Sequence, residues 1–211
     1  MRSLMLPIAV CLLSTSLLSA DDVKSIPADE VTKWGARFAK LADKIENPQI
    51  KIVADAGNAN GVHVPDKFGI MIVPQQELKE SEELAARFKS DSGAALAYLF
   101  AYHMVPVVDG QQIEADRLRS ISFADEQGTE RSVYTFLLTV RQLPEGDYRL
   151  YVYGKDEKPI VDARFSEGAG PGPEPVAVEI KDSDKQTREG KVVVTVFGKY
   201  EASFRARYKE D

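Results

Sequence analysis

The sequence predicts a mainly β protein: an antiparallel β-sandwich with an N-terminal amphipathic helix and one helical insertion. Three observations carry the prediction. From Leu118 onward, apolar and polar residues alternate at period two in one run after another, the pattern of half-buried strands. Turn-forming residues separate those runs at intervals of roughly eight to twelve positions, as sandwich strands require. Ahead of them, residues 27–46 follow a helical spacing instead.

That first stretch, PADEVTKWGARFAKLADKIE, carries Val31, Trp34, Phe38, Leu41 and Ile45, steps of three or four that share one helix face. Pro27 with Asp29 and Glu30 suits its start, and Asn47-Pro48 its end. Gly35 in its interior costs about 1 kcal/mol relative to alanine. Trp34, the sole tryptophan, falls on the apolar stripe and reads as the anchor of the helix. IKIVAD (50–55) reads as a short strand, GNANG (57–61) as a turn region, and GIMIVP (69–74) as a strand, with His63 on the turn before it. Residues 75–89 return to helical composition.

GAALAYLFAYHMVPVV (93–108) is apolar on both sides, so a buried helix and a doubly buried strand both fit it. The strand is favoured because aromatics dominate and Pro106 follows. It places Leu96, Tyr98, Phe100, Tyr102 and Met104 on one face and mostly small residues on the other. LRSISFADEQGTERSVYTFLLTVR reads as two strands joined near Asp125–Gly128, and DYRLYVYG (147–154) and PIVDARF (159–165) as two more. The Gly/Pro-rich EGAGPGPEP (167–175) reads as a crossover between two sheets. VAVEIK, KVVVTVF and KYEASFRARYK close the chain, with a two-residue turn expected at Gly198-Lys199. About ten strands result. The chain divides into a signal peptide at 1–20, a helix at 21–47 and a sandwich at 48–211.

LPEGDYRLYV, Leu143 to Val152, resembles the L-x-P-G-x-x-Y corner of immunoglobulin-like and fibronectin type III sandwiches. It is also similar to the strand entry of prealbumin-like secreted modules. The resemblance covers about ten residues and implies a sandwich in which Tyr148 bonds back to preceding backbone. It implies no activity, because such sandwiches host many unrelated functions.

The opening MRSLMLPIAVCLLSTSLLSA has one cation, Arg2, a short apolar run and a small-residue end, the layout of a secretory signal. Removing the first 20 of 211 residues leaves 191 and takes away Cys11, the single cysteine. What remains has no disulfide, thiolate nucleophile or cysteine metal ligand, and is expected outside the cytoplasm, periplasmic or secreted. Losing Arg2 moves the formal charge from −6 to −7, which argues against nucleic acid as a partner. No later run is long enough to span a membrane.

Chemistry has few footholds. There is no G-x-S-x-G elbow, phosphate loop or dinucleotide fingerprint, and Asp182-Ser183-Asp184 departs from the EF-hand pattern at Gln186 and Thr187. No cofactor is implied. A two-histidine, one-carboxylate metal site requires His63, His103 and either Asp66 or Asp109 to converge. Tyr151 and Tyr153 share a strand face that either displays them to a glycan or protein partner or lies beneath the N-terminal helix. Arg205, Arg207 and Lys209 form a basic stripe on the last strand, suited to an acidic partner or to guarding a sheet edge. The expectation is a non-enzymatic β-sandwich with a binding or structural role in the cell envelope. The alternative is a hydrolase or metal-dependent enzyme using His63, His103 and nearby carboxylates.

Overall fold

The computed structural model describes residues 23–209 apart from 47, 66, 92, 126, 169–171, 173 and 185, so the signal-like segment lies outside the described residues. In chain order the elements begin with β1 (Lys24–Ser25), α1 (Ala28–Ala42), β2 (Asn60–Val64), β3 (Phe68–Pro74), α2 (Glu82–Phe88), β4 (Ala94–Tyr102), β5 (Met104–Val108) and β6 (Gln111–Gln112). They continue with β7 (Ser120–Ala124), β8 (Glu130–Gln142), β9 (Tyr148–Tyr153), β10 (Val161–Arg164), β11 (Ser166–Glu167), β12 (Val176–Asp184), β13 (Glu189–Val196) and β14 (Tyr200–Tyr208).

Two antiparallel sheets result. The first runs β1-β2-β3-β4-β8-β9-β10, with β7 beside the first half of β8; the second runs β12-β13-β14-β5-β6, with β11 beside β14. Between them lies the main core, in which Ile70, Ile72, Leu99 and Leu138 of the first sheet meet Val176, Val192, Val194 and Phe204 of the second. The outer face of the first sheet carries a separate core built with α1: Phe38, Ala42, Met71, Val73, Phe100 and Leu137. Helix, sheet and sheet therefore stack as three layers, and β4 is buried from both sides. Its apolar composition follows from that position. Gly35 is where α1 crosses the turn at residues 56–58, since a Cβ there would stand 2.9 Å from Ala59 Cβ.

The mainly β, two-sheet prediction holds, and the local differences have physical causes. The helix ends at Ala42 rather than at 46, and the insertion expected at 75–89 is helical only over Glu82–Phe88, where Ser81 caps it by accepting from Leu84 N. IKIVAD forms only one bridge, Ala54 to Gln75, because this segment turns inward to place Ile52 in the helix-side core and leaves Val53 outside. His63 is within β2 and paired with Gly69, not on a turn. In β4 a bulge between Ala95 and Ala97 shifts the phase, so Leu96 joins the main core while Tyr98, Phe100 and Tyr102 face the helix.

Met104 also changes face. His103, at φ 55, is the one-residue corner through which the chain leaves the first sheet and enters the second as β5, paired with β14. The later change of sheet falls at Phe165, between β10 and β11, so the Gly/Pro stretch follows the crossover instead of making it. In the last hairpin the positive-φ pair is Phe197 (54°) and Gly198 (64°), with Lys199 N donating to Val196 O at 3.1 Å. Two consecutive positive φ values are the requirement of a type I′ turn, one residue earlier than expected.

LPEGDYRLYV makes a hairpin within one sheet: Gly146 N donates to Leu143 O at 2.9 Å, and Gln142 pairs with Tyr148. Tyr148 contributes its ring, stacked on Tyr200 of the other sheet at 6.3 Å with Phe88 edge-on at 6.0 Å. The sheets are also joined at the opposite edge, where the Asn60 side chain donates to Val176 O at 2.7 Å and accepts from Val178 N at 3.1 Å. A side-chain amide thus stands in for a neighbouring strand and blunts the edge of β12.

Candidate functional site: an aromatic groove between helix and sheet

The site begins with a missing side chain. On the outer face of the first sheet, Gly69 of β3 pairs with His63 on one side and Tyr102 on the other. Residues paired across antiparallel strands share a face, so an ordinary residue at 69 would fill the space between imidazole and phenol. Glycine leaves it open. The next pair along, Met71 and Phe100, forms the floor. The α1 helix supplies one wall: Phe38 stacks on Phe100 at 4.6 Å, and Trp34 lies 5.7 Å from both Phe38 and Phe123. Phe123 and Val133, from β7 and β8, supply the other. The resulting groove measures about 580 Å³, within the range of small-molecule and glycan sites.

Charges sit at its rim. Glu30 belongs to α1, Lys67 follows β2, and Asp125 and Arg131 belong to the β7–β8 hairpin. Asp125 is strongly engaged: it accepts from Arg131 Nε at 3.0 Å, Thr129 N at 2.8 Å and Gln127 N at 3.0 Å. Partial desolvation pushes its carboxyl upward, but these bonds outweigh it and hold the group below the usual aspartate range. The same bond raises Arg131 above its ordinary value. Arg37 lies over the Trp34 and Phe123 rings at 5.3 and 4.9 Å, a cation–π contact that ties helix to hairpin.

The sequence-predicted residues fall in different places. His63 is half-buried in the groove. His103, at the corner, lines a smaller depression of about 390 Å³ with Ser122, Ser132, Tyr134 and Lys209; Tyr102 and Arg131 line both spaces. Asp66 lies outside the described residues. Asp109 occupies the turn at the far end of β5, six residues from His103 and roughly 20 Å away at strand rise. Among the described residues no group of three or more His, Cys, Asp or Glu is placed to hold a metal ion.

Tyr151 and Tyr153 are half-buried on β9, rings 6.4 Å apart, with Tyr153 packed against the helix-side core and its phenol raised by burial. Arg205 and Arg207 of the basic stripe turn to one carboxylate: Glu189 accepts from Arg205 Nη1 at 3.1 Å, from Arg207 Nε at 3.1 Å and from Arg207 Nη2.

Gly69, Tyr102, Phe123 and Arg131 were not legible as site residues. One signal was available: a glycine inside a strand pattern marks either a bulge or a place where something else approaches the sheet.

The class of protein these layers define is a two-sheet antiparallel β-sandwich with a helix laid on the outer face of one sheet. Compared with protein-family models, curated proteins and solved structures, the chain matches none. Among the described residues no helix is long and apolar enough to cross a membrane.

Proposed function

We propose that this chain is an extracytoplasmic, non-enzymatic binding protein of the cell envelope whose groove between α1 and the first sheet accepts an uncharged ring, such as a glycan unit. The observation that carries this reading is the groove itself, lined by Trp34, Phe38, Phe100, Tyr102 and Phe123 and opened by Gly69. Phe38 and Phe100 are buried against each other beneath the groove, and the half-buried Trp34, Tyr102 and Phe123 rings are the surfaces on which a flat or ring-shaped ligand with apolar faces would stack. Among the described residues that line the groove, Lys67 and Arg131 balance Glu30 and Asp125, so the lining favours neither an anion nor a cation. The signal-like segment supports export, and the acidic net charge is unsuited to nucleic acid.

Binding rather than catalysis is favoured by the state of the polar groups. Asp125 is tied up by an arginine and two backbone N–H groups, and His63 has no carboxylate partner among the described residues. No specific observation favours the metal-dependent or hydrolytic alternative.

The test is a thermal-unfolding panel of the purified protein with N-acetylglucosamine oligomers and other soluble envelope glycans. A ligand selective for the folded state raises the midpoint in proportion to the logarithm of its concentration over Kd. Saturable upward shifts, absent from Gly69→Leu, support the reading. A flat response to neutral glycans with a shift for anionic ones contradicts it.

A further inference from the structure

The β2–β12 edge carries an inference about chemistry at residue 60, independent of the groove. Both amide atoms of Asn60 are engaged by β12, Nδ2 with Val176 O at 2.7 Å and Oδ1 with Val178 N at 3.1 Å. The following residue has no room for a side chain: a Cβ on Gly61 would stand 2.4 Å from Ile70 O and 2.9 Å from Ile26 Cδ1. Two packing demands, an amide at 60 and nothing at 61, therefore place asparagine directly before glycine. In that dipeptide no side chain hinders attack of the backbone nitrogen on the amide carbon.

We propose that Asn60 is a deamidation site which folding protects and unfolding exposes, so that residue 60 irreversibly records the time the chain spends unfolded. Gly61 N loses its proton to solvent and attacks Asn60 Cγ. The new C–N bond closes a five-membered succinimide as Nδ2 leaves as ammonia. Water then opens the ring at either carbonyl, giving aspartate or isoaspartate. Water is the only co-reactant, and nothing is oxidised or reduced.

Folding blocks the first step by holding both amide atoms on β12 and the residue in the β2–β3 ladder, opposite Ile72. The product cannot rebuild that edge. An aspartate has no N–H for the Val176 carbonyl and sets one acceptor against another. An isoaspartate also lengthens the backbone inside a strand whose pairing alternates residue by residue. Asn58, followed by Ala59, serves as an internal control with the same amide and a hindered neighbour.

The purified protein is incubated at mildly alkaline pH, folded or unfolded in urea, and peptide mapping reads the amide-to-acid mass gain at Asn60 and Asn58. Conversion at Asn60 is expected to be at least about tenfold faster in the unfolded sample, because the folded chain exposes the site only through rare opening. Equal rates in the two states, or conversion at Asn58 ahead of Asn60, would overturn the proposal. Refolding yield after urea is expected to fall in step with conversion in the parent and to hold in Asn60→Ser. If Asn60→Ser does not fold, Asn60→Asp decides: a Tm below the parent's supports the proposal, and an unchanged Tm overturns it.

Discussion

Gly69 faces His63 across the β2–β3 ladder, and a Cβ added to Gly69 would lie 3.4 Å from His63 Cβ, an ordinary contact. The groove is therefore open because of composition, not because the backbone forbids a side chain there. Gly69→Ala is expected to be neutral or stabilising by roughly 0.5–1 kcal/mol, the usual gain from replacing glycine within a strand. Urea denaturation checks this; a loss greater than 1 kcal/mol, about twice the lower figure, would mean that the space is needed for packing.

Aromatic stacking ties the helix to the first sheet. Phe38 is 7% exposed and stacks on Phe100 at 4.6 Å. Phe38→Ala is expected to cost about 3–5 kcal/mol, the range for truncating a buried phenylalanine. Near-UV circular dichroism should lose intensity as Trp34 is freed, with the strand signal retained.

At the β12 edge the Asn60 amide hydrogen-bonds the two sheets together. Asn60→Ala leaves Val176 O and Val178 N without the partners they now have. Each group left unsatisfied costs about 1–3 kcal/mol where it is buried, less where water reaches it. Hydrogen exchange at Val178 N should accelerate in this variant while the β13–β14 ladder stays protected.

Acid should weaken the second sheet through Glu189. The hydrogen bond from Arg207 holds this carboxyl below the usual glutamate range; desolvation opposes it and Arg205 adds to it. A depressed folded pKa contributes stability that is fully present above the unfolded value of about 4.3 and is lost as pH falls through the lower folded value. Glu189→Gln should therefore flatten the pH dependence of stability below about pH 4.3. An unchanged acid limb would show that Glu189 titrates alike in both states.

Much of the sandwich was written in alternation. Tyr134, Phe136, Leu138 and Val140 face the main core and Val133, Thr135, Leu137 and Thr139 the helix side, as their period of two dictates. What escaped the pattern was backbone geometry without a residue signature. A histidine at φ 55 turns the chain from one sheet to the other, and nothing in AYHMV marks it. The bulge at Leu96 reverses a face in the middle of an all-apolar run, where alternation carries no polar contrast to read. The groove was illegible for another reason. Trp34, Gly69, Phe100 and Phe123 come from four elements far apart in the chain, and only the three-layer packing brings them together.

Trp34, the sole tryptophan, lines the groove and reports on its occupancy. The most direct measurement is the titration of Trp34 fluorescence with neutral glycan oligomers in the parent and in Gly69→Leu, whose added side chain occupies the space between His63 and Tyr102. A groove that binds glycans gives a saturable change in the parent, insensitive to salt, that is lost in Gly69→Leu while its unfolding midpoint is kept. A saturable change of the same Kd in both proteins would place the ligand elsewhere and rule out the groove as its site.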